Sequence, residues 1–389
     1  MSGATQRSLS ARHGDQTDSE DQRGRRFSHD DPLAGPIATG RFLILTAGGV
    51  EISNSESSAV DAVVPVHNAP ELVRRCLESV LAHVGEQLGE LVVVDDASGA
   101  PTQALLAKIA HPKLRVVRSE RNLGYGGSVN LGVASCRAPL VLQLNSDVEA
   151  QGDFLTPLVA ALAADPQLAA LSPAGNTYRR YDLARYAKRG ACVVTNHLSG
   201  YAFLIRRSVF DAVGGFDPAF GLGYFEDTDL SRRILRTGCW LGVHPDTALH
   251  HESHGSFSLR PERRAVLEAN RLRYHERWPA ARRQVLLATR TARGSELPHS
   301  LVDEARGVLD GGGSIWWVSR ESPRELLGLG MRGDRMGVVR GARRLRKQRA
   351  DPFKRFTDLW LSADVPPIPA SMLRAAARSI AIETRRWEP

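Results

Sequence analysis

Between Val60 and Ala164 the chain repeats one pattern four times: a short β-branched apolar run, then a longer segment with apolar residues at helical spacing. The pairs are Val60 to Val66 with Glu71 to His83, Leu91 to Val94 with Thr102 to Ala110, Leu114 to Val117 with Ser128 to Cys136, and Leu140 to Leu144 with Phe154 to Ala164. Strand-then-helix repetition specifies parallel strands joined by helical crossovers, so the expected class is α/β with a mostly parallel, Rossmann-like sheet flanked by helices.

In such sheets ligands lie outside the carboxyl ends of the strands. The residues just after each run are Pro65-Val66-His67-Asn68, Asp95-Asp96-Ala97-Ser98, Arg121-Asn122-Leu123-Gly124 and Asn145-Ser146-Asp147. A nicotinamide enzyme would carry a GxGxxG turn after its first strand, and there is no glycine at that place.

Other features narrow the class further. The four cysteines form no CxxC pair, which argues against a zinc ribbon or a disulfide scaffold and suits a reducing compartment. No run approaches the ~18 to 20 apolar residues of a membrane span. The N-terminus has no apolar signal region, so a cytoplasmic location is expected, in solution or at the inner face of the membrane. Residues 1 to about 35 are polar and poor in large apolar side chains, and 1 to 58 read as a disordered leader and lead-in. Residues 259 to 389 hold 27 of the 51 Lys and Arg but only 15 of the 43 Asp and Glu. This last third reads as a largely helical basic extension. A basic segment can serve a phosphorylated substrate, anionic lipid or nucleic acid, but no nucleic-acid module is recognisable.

Three clusters carry candidate chemistry. Asn145-Ser146-Asp147 ends an apolar run and offers oxygen ligands suited to a hard divalent cation; an Asx turn explains the same triplet. Glu226-Asp227-Thr228-Asp229 opens a helical segment. Acids there complement the helix dipole, and Asp229 with Arg233 is an i,i+4 pair; a general base is the functional alternative. His250-His251-Glu252-Ser253-His254 lacks the HExxH spacing of zinc proteases, yet three histidines in five residues suit a metal or phosphate contact.

Taken in order, these segments resemble the family 2 inverting glycosyltransferases of the GT-A fold, particularly the branch of bacterial rhamnosyltransferases and related deoxysugar transferases. The carrying stretches are VVPVHNAPELVRRCLESV (63 to 80), LVVVDDAS (91 to 98), RNLGYGGSVNLGVA (121 to 134), LVLQLNSDVE (140 to 149), GYAFLIRRSVFDAVGGFDPAF (200 to 220), YFEDTDLSRRILRTG (224 to 238) and HHESHGSF (250 to 257). The resemblance covers residues 59 to 258, divided into a nucleotide-sugar half (59 to 165) and an acceptor and catalytic half (166 to 258).

The resemblance implies the following roles. Pro65, His67 and Asn68 would line the nucleotide cleft, and Asp96 would face the base of the donor. Asn122 and the glycines Gly124, Gly126 and Gly127 would let the backbone approach the nucleotide sugar. Asp147 would be the chief ligand of Mn²⁺ or Mg²⁺, with Asn145 where many members have aspartate. His251 would complete the metal site, with His250 as the competing choice. Asp227 would be the catalytic base, with Glu226 beside it. The donor implied is a dTDP-linked 6-deoxysugar such as L-rhamnose or dihydrostreptose, with UDP sugars as the other option. The acceptor is a small phosphorylated aglycone or a lipid-linked molecule, in antibiotic or cell-surface polysaccharide biosynthesis. Two other readings stand beside this one: a non-catalytic GT-A domain that binds nucleotide sugar, and a basic peripheral membrane protein.

Overall fold

A computed structural model describes residues 59–247, 249–252, 263–335, 338–347 and 352–387. The expected disordered leader, and Ser253 and His254 of the histidine cluster, lie outside the described residues.

The first part runs β1 (Val60–Val66), α1 (Pro70–Val84), β2 (Leu88–Asp96), α2 (Ala100–Leu106), β3 (Leu114–Ser119), α3 (Gly124–Ser135), β4 (Leu140–Leu144), β5 (Val148–Ala150) and α4 (Leu155–Ala164). It continues with β6 (Leu168–Pro173), β7 (Lys188–Arg189), β8 (Cys192–Thr195), β9 (Ala202–Arg206), α5 (Arg207–Ala212), α6 (Glu226–Leu235), β10 (Trp240–His244) and β11 (Leu249–His251). Strand β1 is apolar without alternation because it lies between β2 and β4 with helices on both sheet faces. Its one acid, Asp61, is 5% exposed and accepts the backbone N–H of Glu90 (3.0 Å), Arg137 (2.7 Å) and Ala138 (2.8 Å). A buried carboxylate so satisfied ties together the starts of three strands.

The nine-stranded sheet has the order β3-β2-β1-β4-β9-β6-β10-β8-β7. It is parallel from β3 to β4, as the strand-helix repeat requires. Beyond that it is mixed: β9 runs antiparallel to β4 and β6, and β8 runs antiparallel to β10 and β7. The expectation of a mostly parallel sheet therefore holds for the first half only. No crossover helix lies between β6 and β9, and parallel pairing of successive strands needs one.

The basic extension departs from the largely helical reading. It contains α7 (Arg263–Arg277), β12 (Gln284–Ala288), α8 (His299–Asp310), β13 (Ser314–Ser319), β14 (Met331–Arg335), α9 (Val338–Arg346), β15 (Asp358–Ser362), α10 (Pro367–Arg378) and β16 (Glu383–Trp387). The strands form a second sheet, all parallel, in the order β14-β13-β12-β15-β16. Its edge strands, MRGDR and ETRRW, carry almost no apolar signal, which is how edges avoid pairing with other chains and why the sheet is hard to read from sequence. Its centre buries Trp317 and Trp360 completely.

This second sheet docks on the 166–258 half through the backbone. Ala187 N–H donates to Leu326 O (2.8 Å), Leu326 N–H to Arg185 O (2.8 Å), and Leu329 N–H to Val194 O (3.2 Å). A buried carboxylate anchors α7 to α6. Asp229, 0% exposed, accepts from Arg233 Nε (2.8 Å), Arg277 Nη1 (3.0 Å) and Trp278 Nε1 (2.8 Å). The i,i+4 pair read from sequence is present, but it is one arm of this buried hub rather than a surface ion pair. Removing the buried acceptor leaves the partly exposed Arg233 and Arg277 and the Trp278 N–H without their shared partner, so Asp229→Ala is expected to cost about 1.5 to 3 kcal/mol. Urea unfolding of the full chain measures this, and a loss below about 1 kcal/mol would show the hub to be ordinary helix electrostatics.

Candidate active site

The loops after β1, β2 and β3 are stitched to one another. His67 Nδ1 lies 2.6 Å from Asp96 O, and Asn122 Nδ2 lies 3.3 Å from His67 Nδ1. Asn68 N–H donates to Ser98 Oγ (2.9 Å), while its own Oδ1 accepts from Gly99 N–H (2.8 Å). Asn68, Ala69 and Ala97 have φ of 63°, 55° and 54°, uncommon for residues with side chains and characteristic of strained functional loops. Pro65 is half-buried inside β1, opposite Val94.

Asp96, 3% exposed, accepts from the N–H of Leu123 (2.6 Å) and Gly124 (3.1 Å), and so caps the N-terminus of α3 with a negative charge. The glycines of this turn make room first for the chain itself. At Gly124, with φ 74°, a Cβ would sit 2.2 Å from Gly221 O, and at Gly126 a Cβ would sit 2.9 Å from Phe216 Cβ. At Gly127 the near neighbour is Leu123 Cβ, also at 2.9 Å.

Asp147 and His251, more than a hundred positions apart, meet because β5 and β11 pair antiparallel with His251 opposite Val148. His251 Nε2 lies 3.3 Å from Asp147 Oδ1. Side chains alternate along a strand, so His250, opposite Glu149, is the residue of the other face. The imidazole of His251 is held by stacking on Tyr201 at 5.2 Å and 20°, and its backbone exchanges two hydrogen bonds with the Asn176 amide (2.8 and 3.0 Å). Asp147 Oδ1 is a buried oxygen with no hydrogen-bond partner among the described residues. An orphaned carboxylate oxygen beside an imidazole nitrogen fits a divalent cation. Among the described residues no third His, Cys, Asp or Glu joins them, so remaining ligands would have to come from a bound molecule or water. Asn145 follows β4 and donates its N–H to Tyr201 O (2.8 Å).

Glu226 and Asp227 open α6 behind a strained approach, with φ of 71° at Tyr224 and 69° at Phe225. Asp227 Oδ2 accepts from Gly200 N–H (3.0 Å) and lies 3.6 Å from His197 Nε2; Oδ1 accepts from Thr228 N–H (2.7 Å) and Oγ1 (3.1 Å). Burial pushes the Asp227 carboxyl up, but the hydrogen bond and charge of His197 and the N–H groups of Gly200 and Thr228 outweigh it and hold it below its ordinary value. Glu226 has only its own backbone N–H to lower it. It is 8% exposed, its Oε2 lacks a partner, and burial with the neighbouring Asp227 charge pushes it up to about 8. At neutral pH the pair therefore holds one proton, on Glu226, and Asp227 is charged.

His197 is absent from the candidates read from sequence. Its signal was the rule already applied to the first four strands: it stands in the polar loop after β8, at a strand end. Tyr201 and Gly200, by contrast, lie within a stretch that carried the resemblance.

Residues 61–214 match the family model "Glycosyl transferase family 2". This segment belongs to glycosyltransferase family 2. Its α/β architecture with a mixed central sheet is the GT-A fold. Among curated relatives of this family 2 segment, the succinoglycan biosynthesis protein ExoO of Rhizobium meliloti is 31% identical over 219 residues, 51% of this chain and 62% of that protein. The N-acetylglucosaminyl-diphospho-decaprenol L-rhamnosyltransferase of Mycobacterium tuberculosis is 25% identical, over 47% of this chain and 73% of that one. The chain thus spans less than two thirds of the length of the succinoglycan protein. A solved mannosyltransferase from Pyrobaculum calidifontis, in complex with GDP-Man and Mn²⁺, is 24% identical with a TM-score of 0.45, covering 55% of this chain and 64% of its own. No helix among the described residues is long and apolar enough to cross a membrane.

The acid pair of α6 has a measurable consequence. A raised folded-state pKa gives Glu226 a stabilising contribution that is full below its unfolded value near 4.5 and lost as pH rises through about 8. Asp227 is depressed, so its contribution is constant across this window and is lost only as pH falls below its unfolded value of 3.8. Glu226→Gln is therefore expected to gain stability over the native chain between pH 5 and pH 8.5, by a few kcal/mol at the upper end. Melting temperatures across that range test this; parallel curves for the two proteins would overturn the assignment of the proton.

Proposed function

We propose that the protein is an inverting glycosyltransferase that moves a sugar from a nucleoside diphosphate donor to an acceptor hydroxyl. The observation that carries this reading is the ionised Asp227, fixed by His197 and Gly200, in the same site as the Asp147 and His251 pair but separate from it. The acceptor oxygen attacks C1 of the sugar as the C1–O bond to the diphosphate breaks. The bond's electron pair leaves with the nucleoside diphosphate, the acceptor proton goes to Asp227, and attack from the opposite face inverts C1.

Asp147 and His251 would hold Mn²⁺ or Mg²⁺, and the bound ion supplies positive charge against the diphosphate. Asn145 would sit beside it. His67, Asn68 and Asn122, at the ends of β1 and β3, are placed to line the nucleotide, with Pro65 supporting the first loop and Asp96 holding the α3 turn over it. His197 orients Asp227 and favours its charged form. Glu226 keeps its own proton, so the site carries one negative charge at the base rather than two.

For the donor we favour a dTDP-linked 6-deoxysugar over a UDP sugar. The rhamnosyltransferase relative and the Asn145 variant support that choice. The same relative, and the succinoglycan protein, support an acceptor in surface-glycan assembly, lipid-linked or soluble. An antibiotic aglycone is the other acceptor class that the resemblance implies.

Two variants test the mechanism. Asp147→Ala is expected to abolish the Mn²⁺ dependence of nucleoside diphosphate binding in calorimetry; retained dependence would remove Asp147 from the metal site. Asp227→Asn is expected to lower turnover by roughly 10² to 10⁴ with donor affinity similar, since the amide keeps the shape but takes no proton. A loss of less than about threefold would move Asp227 to a structural role.

A further inference from the structure

Thr228, next to the proposed base, lines two cavities at once. The inner one, about 290 Å³, also meets His197, Tyr178 and Ser199 of the catalytic half, and Gly313 and Gly330 of the C-terminal unit. The outer one, about 490 Å³, is walled by Phe225, Trp316 and Phe353. Thr228, Tyr274, Gly312, Ser314 and Arg332 belong to both, so the two form one recess along the junction between the sheets. It begins beside Asp227, whose carboxylate is bonded by Thr228 and approached by His197.

The recess is strongly basic. Arg180, Arg232 and Arg332 line its inner part, and the outer part adds Arg271, Arg344, Lys347 and Lys354. No Asp or Glu is among its described lining residues. Arg344 reaches an acid outside the recess, Asp334 Oδ2 at 4.0 Å, and elsewhere on the extension Arg283 pairs with Glu304 and Asp358. Arg332 and Lys347 have no carboxylate partner among the described residues. Arg344 and Arg332 stand over the Trp316 ring, at 3.4 and 5.7 Å from its centroid, which fixes guanidinium planes beside an aromatic wall.

Arg232 is the second, independent sign. It is 2% exposed, and its Nη1 donates to the carbonyls of Leu309 (3.0 Å) and Asp310 (2.5 Å), but its Nε is buried without a partner. A buried guanidinium that meets only carbonyls is costly unless an anion completes it.

We propose that this junction recess binds the acceptor, and that the acceptor carries a phosphate or diphosphate group held by the arginines while its hydroxyl reaches Asp227 past Thr228 and His197. The role as acceptor rests on the glycosyltransferase reading; the anion site itself does not. The aromatic wall of Trp316, Phe353 and Tyr274 would pack against the sugar or apolar portion beyond the phosphate.

The test titrates the full chain in EDTA, which disables the proposed metal-dependent donor site, with inorganic phosphate, glucose 1-phosphate and unphosphorylated glucose. Both phosphates are expected to bind and glucose not to. An Arg332→Gln, Lys347→Gln double variant should weaken phosphate binding by about tenfold or more at unchanged melting temperature, with Asp147→Ala leaving it as in the native chain. Equal binding of glucose, no effect of the double variant, or loss of phosphate binding in Asp147→Ala would each overturn the proposal. In turnover assays the double variant should raise KM for phosphorylated acceptors and leave neutral ones unaffected. Comparing a soluble sugar phosphate with a polyprenyl diphosphate sugar in detergent then identifies the source of the phosphate. Phosphate binding that the double variant weakens, with no transfer from any donor, would support the recess and overturn the glycosyltransferase reading.

Discussion

The site depends on one pair of residues, Gly200 and Tyr201, at the entrance to β9. The Gly200 N–H holds Asp227, and the Gly200 carbonyl accepts from Tyr125 Oη (2.8 Å). The Tyr201 carbonyl accepts from Asn145 N–H, and its ring supports His251. Asp227 and the Asp147 and His251 pair are thus referenced to the same short stretch of backbone. A Cβ at position 200 would come 3.1 Å from Asp227 Oδ2, so any larger residue there pushes on that carboxylate. The stretch is delivered there because β9 enters antiparallel between β4 and β6, so its first residues arrive where β4 ends.

Much of this was legible in the sequence, and the limits have physical causes. The strands Val60–Val66 and Leu140–Leu144 are visible to the residue because both are buried on two faces and read as apolar runs broken only by Asp61 and Gln143. Helix α3 begins four residues before the expected Ser128, at Gly124, because the Asp96 carboxylate compensates a glycine-rich first turn that propensity alone disfavours. The extension was the least legible part. Its strands are five or six residues long, and its edge strands are nearly as polar as loops. His197 shows the limit at the site: a single histidine in a polar loop carries no pattern, and only the folded chain brings it to Asp227.

Two adjacent carboxyl groups, Glu226 and Asp227, take opposite protonation states without any difference in chemistry between them that would require it. The difference is access to donors. Asp227 faces the loop after β8 and collects N–H groups, whereas Glu226 faces packed protein. Burial alone would have raised both; directed backbone dipoles separate them. The strain at Tyr224 and Phe225 is the local cost of turning the first residues of α6 so that they face these different surroundings.

The hydrogen bonds that seat the second sheet on the catalytic half run largely through main-chain groups, including Leu326 and Leu329 N–H and the carbonyls of Leu309 and Met331. Main-chain contacts do not record side-chain identity. Substitutions that reshape the recess can therefore accumulate in this unit without loosening its seat. In an evolving lineage, the first sheet and the residues around Asp227 can then stay unchanged while the neighbouring sheet is retuned to a different molecule.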